Sequence, residues 1–322
     1  MLDVLKFVLG SVAKKDFIPE LQHFVIKDGV IRGFNGTLAI CAPFKFAVDC
    51  APRADLFVRA ISNCGETEAI DLSMLENGKL SIKAGKFKAN VECVAFEDLP
   101  HALPEGEPMA IDGPTLLAAF ECLEPFIGND ASRPWSAGIL LRGQSAFATC
   151  NVILVERWLG CPIPHAINLP KTLIREMLRI KEPPISAQVS ETSITFHYND
   201  GRWLRSQLYS TEWPDLEKVL NRPVVNPPKP LQQEVFDALT ILKPFTDKAG
   251  RVYLKDGKIS THATDDEGAT IETPSITDEG IYNMHMLEIL NGRVDVIDLS
   301  SWPLPCMFFG NNLRGAIIGQ KD

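Results

Sequence analysis

Three basic residues are spaced so that they can form one cationic stripe. Lys171, Arg175 and Arg179 follow one another at intervals of four in KTLIREMLRI, residues 171–180. Residues four apart lie on the same face of a helix, so a helical segment here would present all three side chains to one partner. Such a stripe suits nucleic-acid phosphates, which Lys and Arg neutralise without reading the base sequence. A solvated helix face is the alternative interpretation.

The other chemically capable residues do not form a catalytic motif. TDDEG at 264–268 is acidic but lacks the spacing of a calcium-binding EF-hand loop. Cys150 has no histidine in a companion motif, and His262 and His285 are isolated. The sequence contains no P-loop, no GxGxxG fingerprint and no GxSxG elbow. We therefore predict no enzyme activity, no catalytic residue, no metal and no cofactor.

Composition narrows the possible partners and the compartment. The 322 residues carry 32 Lys and Arg against 41 Asp and Glu, a formal net charge of -9. This balance argues against a wholly basic surface but leaves room for a local basic patch. The apolar runs are too short to predict a membrane span, and acid precedes the N-terminal apolar stretch, unlike in a secretory signal peptide. Eight scattered cysteines without metal-ligand spacing are typical of a reduced, cytoplasmic protein.

The basic residues described above lie in a repeated pattern, in which one helix is followed by strands. Apolar residues recur at i, i+3, i+4 and i+7 in helical patterns, each of which buries one face. The first helix of each repeat is predicted at 2–13, 114–126 and 231–245. The second is predicted at 54–64, 171–180 and 283–291. Six helix-plus-strands units result.

The strands repeat as well. VIKDGVIRGFNG at 25–36 is echoed by LKDGKISTHATD at 254–265, and ILLRGQSAFATCN at 139–151 is interpreted as the middle copy. Gly29, Gly257 and Gly143 would then be equivalent turn glycines, since glycine tolerates a positive φ between two strands. Strand patterns of this kind beside one helix per unit predict an α+β fold.

Two proline-rich stretches divide the chain. LPHALPEGEP at 99–108 and NRPVVNPPKP at 221–230 suit exposed connectors. They predict three domains, at 1–105, 106–226 and 227–322.

Four segments resemble motifs of one protein family, in the family's order. They are FEDLP at 96–100, AGILLRGQSAFATCNVILVERW at 137–158, WPDLEKVL at 213–220 and IYNMHMLEILN at 281–291. The family is the bacterial β sliding clamp, the processivity subunit of the replicative DNA polymerase. The resemblance implies the DNA clamp fold: three similar domains, each of two helices packed on antiparallel sheets, in a head-to-tail homodimer closed into a ring.

The resemblance also implies a function. Such a ring encircles double-stranded DNA independently of sequence and tethers the polymerase, while a separate clamp loader hydrolyses ATP. Only the inner face of the ring needs positive charge, so an acidic exterior is tolerated. The DNA-contacting residues implied by position are Lys14, Lys15, Arg53, Arg133, Lys171, Arg175, Arg179 and Lys248.

The family binds short linear peptides of polymerases and loaders in an apolar cleft. The positions carried over to this chain are Thr149, Val152, Ile153, Leu154, Pro214, Lys218, Val219, Ile317 and Ile318. An apolar groove with a polar rim suits Leu or Phe anchors of a peptide. Val152 and Ile153 stand where the family has a His-Arg pair, which predicts a different peptide preference and is consistent with a phage-encoded clamp. Taken without the family, these residues are ordinary strand and turn positions of a core.

One other class of function remains open from the residues alone. A duplicated α+β enzyme or small-ligand-binding protein would also repeat its elements, and it would have one asymmetric polar pocket. Sixfold repetition favours the clamp, because active sites rarely repeat six times in a chain.

Overall fold

A computed structural model describes residues 1–15, 17–65, 69–96, 99–264 and 267–321. Parts of two predicted motifs, Glu97 and Asp98 of FEDLP and Asp265 and Asp266 of TDDEG, lie outside the described residues, as does Asp322. The α-helices of the described chain are α1 Leu2–Leu9, α2 Ala54–Ser62, α3 Gly113–Leu123, α4 Lys171–Ile180, α5 Glu217–Leu220, α6 Gln233–Leu242 and α7 Met284–Glu288. No helix in these ranges is long and apolar enough to span a bilayer.

The strands are short except for one long pair. They are β1 Val25–Lys27, β2 Val30–Phe34, β3 Leu38–Pro43, β4 Ile70–Met74, β5 Leu80–Ala84, β6 Phe87–Val91, β7 Glu107–Met109, β8 Gly138–Thr149, β9 Ile153–Pro170, β10 Ser186–Val189, β11 Ser193–His197, β12 Trp203–Gln207, β13 Lys229–Pro230, β14 Arg251–Lys255, β15 Lys258–Ser260, β16 Thr270–Glu272, β17 Gly280–Asn283, β18 Val296–Ile297, β19 Cys306–Gly310 and β20 Leu313–Ile317.

All six predicted helical segments contain a helix, but several end early. α1 stops at Leu9, so Lys14 and Lys15 follow the helix at a distance instead of ending it. α3 and α6 give way to single 3-10 turns at Glu124–Phe126 and Lys243–Phe245. Each of these turns contains a proline, which cannot donate an α-helical hydrogen bond and disfavours the α conformation of the residue before it.

The first of two compact units contains Met1–Leu117 and Thr172–Leu208. Its larger sheet has the order β1-β2-β3-β12-β11-β10-β7, and its smaller sheet has the order β4-β5-β6, with every neighbouring pair antiparallel. α1 and α2 bury their apolar faces in the core, including Leu5 and Phe57. Phe57 also meets the ring of Phe24 edge-on, with the ring centroids 6.4 Å apart.

The second unit contains Ala118–Lys171 and Tyr209–Asp322. Its sheets have the orders β13-β18-β19-β20-β9-β8 and β16-β15-β14-β17, again antiparallel. The α+β class is therefore that predicted from the sequence. The three domain boundaries remain a prediction.

The two echoed segments form matching hairpins. Asp28 and Gly29 join β1 to β2 with φ of 53° and 73°, and Asp256 and Gly257 join β14 to β15 with φ of 51° and 72°. Positive φ at both central residues is the geometry that matches the twist of two-residue hairpins. The repetition in sequence therefore reflects a repeated Asp-Gly turn.

The middle copy was predicted wrongly. β8 runs without interruption from Gly138 to Thr149, and Gly143, with φ of 64°, lies at a shift of the β8–β9 register and not at a hairpin turn. A β-bulge accommodates such a glycine inside a strand. The chain reverses instead at Asn151, whose φ is 72°.

Candidate functional site

A cleft of about 260 Å³ opens on the second unit beside the β8–β9 turn. Its lining consists of Arg133, Trp135, Thr149, Asn151, Val152, Ile153, Leu154, Pro214, Asp215, Leu216, Val219, Ala316 and Ile318. Seven of the nine residues predicted for the peptide cleft are among them. The structure thus brings together four separate stretches of sequence, around 135, 150, 215 and 317.

The floor of the cleft is an apolar cluster. It consists of Leu140, Phe147, Leu154, Leu216 and Leu220, with Trp213 and Val219 packed against it. The ring of Trp213 also meets that of Trp135 edge-on, with the centroids 5.3 Å apart. Large aromatic groups in such contacts form a stiff wall.

The β8–β9 turn forms one side and is held by its own hydrogen bonds. The hydroxyl Oγ1 of Thr149 donates to the carbonyl of Ile153 at 2.7 Å and accepts from the amide of Asn151 at 3.2 Å. The amide of Ile318 donates to the carbonyl of Val152 at 2.8 Å. These bonds hold the side chains of the turn against the C-terminal strand, so that this wall exists before any ligand binds.

The opposite side is the short helix α5 and the residues before it. Arg314 anchors α5 to the sheet: its guanidinium pairs with Glu156, and its Nη1 donates to Asn221 Oδ1 at 3.3 Å and to the Leu220 carbonyl at 3.5 Å. A side-chain oxygen of Asp215 accepts from the Glu217 amide at 3.0 Å. The sequence WPDLEKVL therefore supplies both the floor and the wall.

Two predicted cleft residues lie elsewhere. Ile317 is fully buried in β20, opposite Ile153 and Cys306, whereas its neighbour Ile318 is 43% exposed in the cleft. Successive side chains along an extended chain point to opposite faces, so only one of the two can reach the cleft. The side chain of Lys218 is 82% exposed, with Nζ 3.7 Å from a side-chain oxygen of Asp215.

Sequence reasoning missed several lining residues. Trp135 was not predicted, although it lies two residues after Arg133, which was. The other missed lining residues adjoin predicted ones: Asn151, Asp215, Leu216 and Ala316. Arg133 was predicted to contact DNA, yet it lies at this cleft, with its side chain 52% exposed and Nε 4.0 Å from Asp130. The cleft combines an apolar floor with Arg133 and Asp215 at its edge, which suits an apolar side chain held within a polar segment.

The predicted cationic stripe lies on α4, but two of its members make structural contacts. Lys171 Nζ donates to Asn129 Oδ1 at 3.0 Å and to the Ile127 carbonyl at 3.4 Å. The Arg179 guanidinium pairs with Glu176 and donates to the Phe7 carbonyl at 2.8 Å. Arg175 is exposed.

Other predicted cations gather near the ends of α1 and α2. Lys14 and Arg53 line a cavity of about 390 Å³ together with Arg59, which was not predicted. Arg53 Nε donates to Asp55 Oδ1 at 3.0 Å, so part of its charge is balanced locally. Lys15 and Lys248 are exposed. Within the described ranges, no group of three or more His, Cys, Asp or Glu side chains could hold a metal ion.

Solved structures share this architecture over the whole chain. The β sliding clamp of Caulobacter crescentus superposes with a TM-score of 0.86 at 15% identity, and a Pseudomonas aeruginosa clamp bound to griselimycin with 0.85 at 18%. The Helicobacter pylori β clamp bound to a DNA ligase peptide gives 0.81 at 14%. Each match covers 100% of this chain and 97% of the other. No protein-family model and no curated protein sequence matches the chain.

The repeated helices and antiparallel sheets define a DNA clamp fold. Among clamps, the fold is that of the bacterial β sliding clamp, DNA polymerase III subunit β.

Proposed function

We propose that this chain is a DNA sliding clamp, which encircles duplex DNA and tethers a replicative polymerase to it. The observation that carries the proposal is the match to bacterial clamps over 100% of this chain and 97% of theirs. The protein acts in the cytoplasm as a non-enzymatic tether of three domains, and a separate loader supplies ATP hydrolysis.

The order of the strands supports closure into a ring. In the first unit β3 pairs with β12, and in the second β9 pairs with β20. Each of the three repeats has two halves, and each half is one helix with its strands. Both pairings join the last strand of the first half of one repeat to the last strand of the second half of another repeat. Among the described residues, two strands at equivalent positions form open sheet edges: β16, which ends a first half, and β6, which ends a second half. Pairing of β16 with β6 of a second copy extends the same pattern head to tail, and two such contacts close a homodimer.

The side chains of these two edges are complementary. In an antiparallel pairing, Ile271 of β16 opposite Ala89 of β6 puts Glu272 opposite Lys88. Shifting the register by two residues puts Ile271 opposite Phe87 and Glu272 opposite Lys86. Either register therefore combines an apolar contact with an opposite-charge pair, which stabilises adjacent strands.

The first test measures the mass of the protein in solution by light scattering. The second measures the release of the protein from DNA. A homodimer gives about 71 kDa, twice the 35.6 kDa of one chain. A ring remains on nicked circular DNA at high salt and slides off the same DNA after linearisation. A monomer at every concentration, or equal release from circular and linear DNA, would exclude the ring.

A charge-reversal pair tests the proposed interface. Glu272→Lys should weaken the dimer, because it sets two lysines against each other, and Lys88→Glu in the same chain should restore it. Lys86→Glu is the matched alternative for the other register. If neither second change restores the dimer, β16 and β6 do not pair as proposed.

The remaining parts of the proposal concern contacts. Lys14, Lys15, Arg53, Arg133, Lys171, Arg175, Arg179 and Lys248 contribute sequence-independent contacts to phosphates. DNA polymerase and the loader bind through short linear peptides in the cleft beside the β8–β9 turn, as supported by its apolar floor and by the ligase peptide bound to the Helicobacter pylori clamp.

A further inference from the structure

A second cavity, of about 270 Å³, lies in the first unit, and none of its lining residues is among those assigned above to DNA or peptides. It is bordered by the β1–β2 hairpin and by the connector that follows β6. Its apolar walls include Val25, Phe34, Phe96, Leu99 and Ala102. The volume is just below the usual range for small-molecule sites, so a compact ligand is required.

One charged side chain enters this apolar surface without an ion-pair partner among the described residues. Arg32 of β2 is half-buried, and it stands opposite Val25 on one side and Cys41 on the other. Its Nε is buried without a hydrogen-bond partner, and within the described ranges no carboxylate lies within ion-pair distance of its guanidinium. Burial raises the pKa of the Cys41 thiol while the adjacent Arg32 lowers it, consistent with a neutral thiol beside the guanidinium.

The buried Nε of Arg32 has no hydrogen-bond partner among the described residues, which is costly because this atom has lost water and gained no compensating bond. Natural proteins retain such groups where a ligand supplies the missing partner. The edge of the cavity adds further basic groups. Lys27 Nζ lies 5.9 Å from the centre of the Phe96 ring, and His23 and His101 also line the cavity. Two acids, Glu20 and Asp28, line it as well.

We propose that this cavity binds a compact apolar carboxylate, with the carboxylate on Arg32 and the apolar body against Phe34, Phe96 and Ala102. A planar guanidinium donates two parallel hydrogen bonds to a carboxylate, and the one half-buried cation at this cavity matches one negative charge. The ligand is either a free acid or the C-terminal residue of a peptide, since both present this chemistry.

The test compares acids with their neutral amides by calorimetric titration of the full chain. The probes are 3-phenylpropionate and 3-phenylpropionamide, and the tripeptide Gly-Gly-Phe with a free or an amidated C-terminus. We expect the acids to bind and the amides to bind at least about tenfold more weakly, because only the acids form charge-assisted bonds. Tighter binding of the tripeptide than of the free acid identifies a peptide as the source, and the reverse identifies a small molecule.

Arg32→Met tests the anchor, and Arg142→Met is its matched control. Arg142 is an arginine of the other unit, where it lies 5.6 Å from the centre of the Phe147 ring. Arg32→Met should lose at least about tenfold in affinity for 3-phenylpropionate, a typical effect for a charge-assisted pair, whereas Arg142→Met should bind like the unchanged protein. Equal binding of acid and amide, unchanged binding by Arg32→Met, or no binding of any probe at millimolar concentration would overturn the proposal.

Stability provides a second measurement. Because no described carboxylate pairs with Arg32, removal of its guanidinium should leave the thermal midpoint of Arg32→Met unchanged or raised. If that variant does not fold, Ala102→Phe fills the cavity from its opposite wall and must abolish binding. Retained binding by a folded Ala102→Phe protein would also overturn the proposal.

Discussion

Arg179 offers a sharp test of whether a cation on α4 serves stability or DNA. Its Nε lies 3.0 Å from each carboxylate oxygen of Glu176, and its Nη2 donates to Glu176 and, at 2.8 Å, to the Phe7 carbonyl. The Glu176 side chain is only 9% exposed, whereas that of Arg179 is 42% exposed. The buried carboxylate therefore depends on Arg179 for most of its compensation.

Arg179→Met removes the cation and keeps most of the side-chain volume. Removing one partner of a fully buried pair costs about 3 to 5 kcal/mol, because the other charge is left uncompensated. Arg179 is partly solvated, so water will replace some of its bonds, and solvated pairs contribute at most about 1 kcal/mol. We therefore expect a loss between these limits, about 2 to 3 kcal/mol in the free energy of unfolding.

Urea denaturation at neutral pH measures this loss, with the double variant Glu176→Met/Arg179→Met as the control. Replacing both partners by apolar groups removes the orphaned charge, so the double variant should recover most of the stability. A single variant as stable as the unchanged protein would refute the reasoning. A double variant as unstable as the single one would show that the cost arises from packing and not from the carboxylate.

The same variant separates stability from DNA binding. Because Glu176 already pairs with the Arg179 guanidinium, Arg179 contributes only part of a phosphate contact, so Arg179→Met should reduce the slope of log affinity against log salt by less than about 0.9. The exposed Lys14 serves as the comparison. Lys14→Met should reduce the slope of log affinity against log salt by about 0.9, the value for one released contact.

Three further predictions concern the second unit. Ile318→Arg puts a charge into the apolar cleft and should weaken binding of a clamp-binding peptide, measured by fluorescence anisotropy, at least about tenfold without changing the mass in solution. The Asp298 carboxyl is buried, which by itself raises its pKa, but the hydroxyl and amide groups that donate to it lower the pKa overall. The stabilisation that this carboxylate provides is therefore complete above the unfolded pKa of about 3.9, and it is lost as the pH falls through the lower pKa of the folded state. Asp298→Asn removes this titration, so the urea midpoint of the variant should fall less steeply as the pH is lowered. Gly315→Ala should lower the thermal midpoint, with a cost of about 1 to 3 kcal/mol, because a Cβ there would collide with the Phe308 ring and the Leu154 carbonyl.

Local sequence patterns predicted helices and turns well where interactions between residues close in sequence determine them. α4 begins and ends at the predicted residues, since its apolar and basic positions alternate with helical period and Pro170 precedes it. The two Asp-Gly hairpins formed as expected because positive φ at both turn positions is a local requirement. Gly143 misled the prediction, since a positive φ inside a long strand is also allowed at a bulge.

The candidate sites were less predictable. Most of the lining of the cleft beside the β8–β9 turn followed from the family motifs, but Trp135 and Arg133 entered it only through the packing of residues around 135 against those around 213. Ile317 and Ile318 could not be separated until the register of β20 was known. The cavity around Arg32 has no motif, because it arises where a connector covers a sheet.

The sequence by itself determined the α+β class, the helix positions and the repeated turns, because hydrophobic period and turn chemistry act over a few residues. The stretches that build the cleft followed instead from the resemblance to family motifs. Only the tertiary structure decided which side chains meet: that Arg179 compensates Glu176, that Arg133 borders the cleft, and that no carboxylate of the described residues pairs with Arg32. Those outcomes depend on contacts between residues as far apart in sequence as Phe7 and Arg179. Burial then decides whether a cation balances a neighbouring carboxylate or stays available for a ligand.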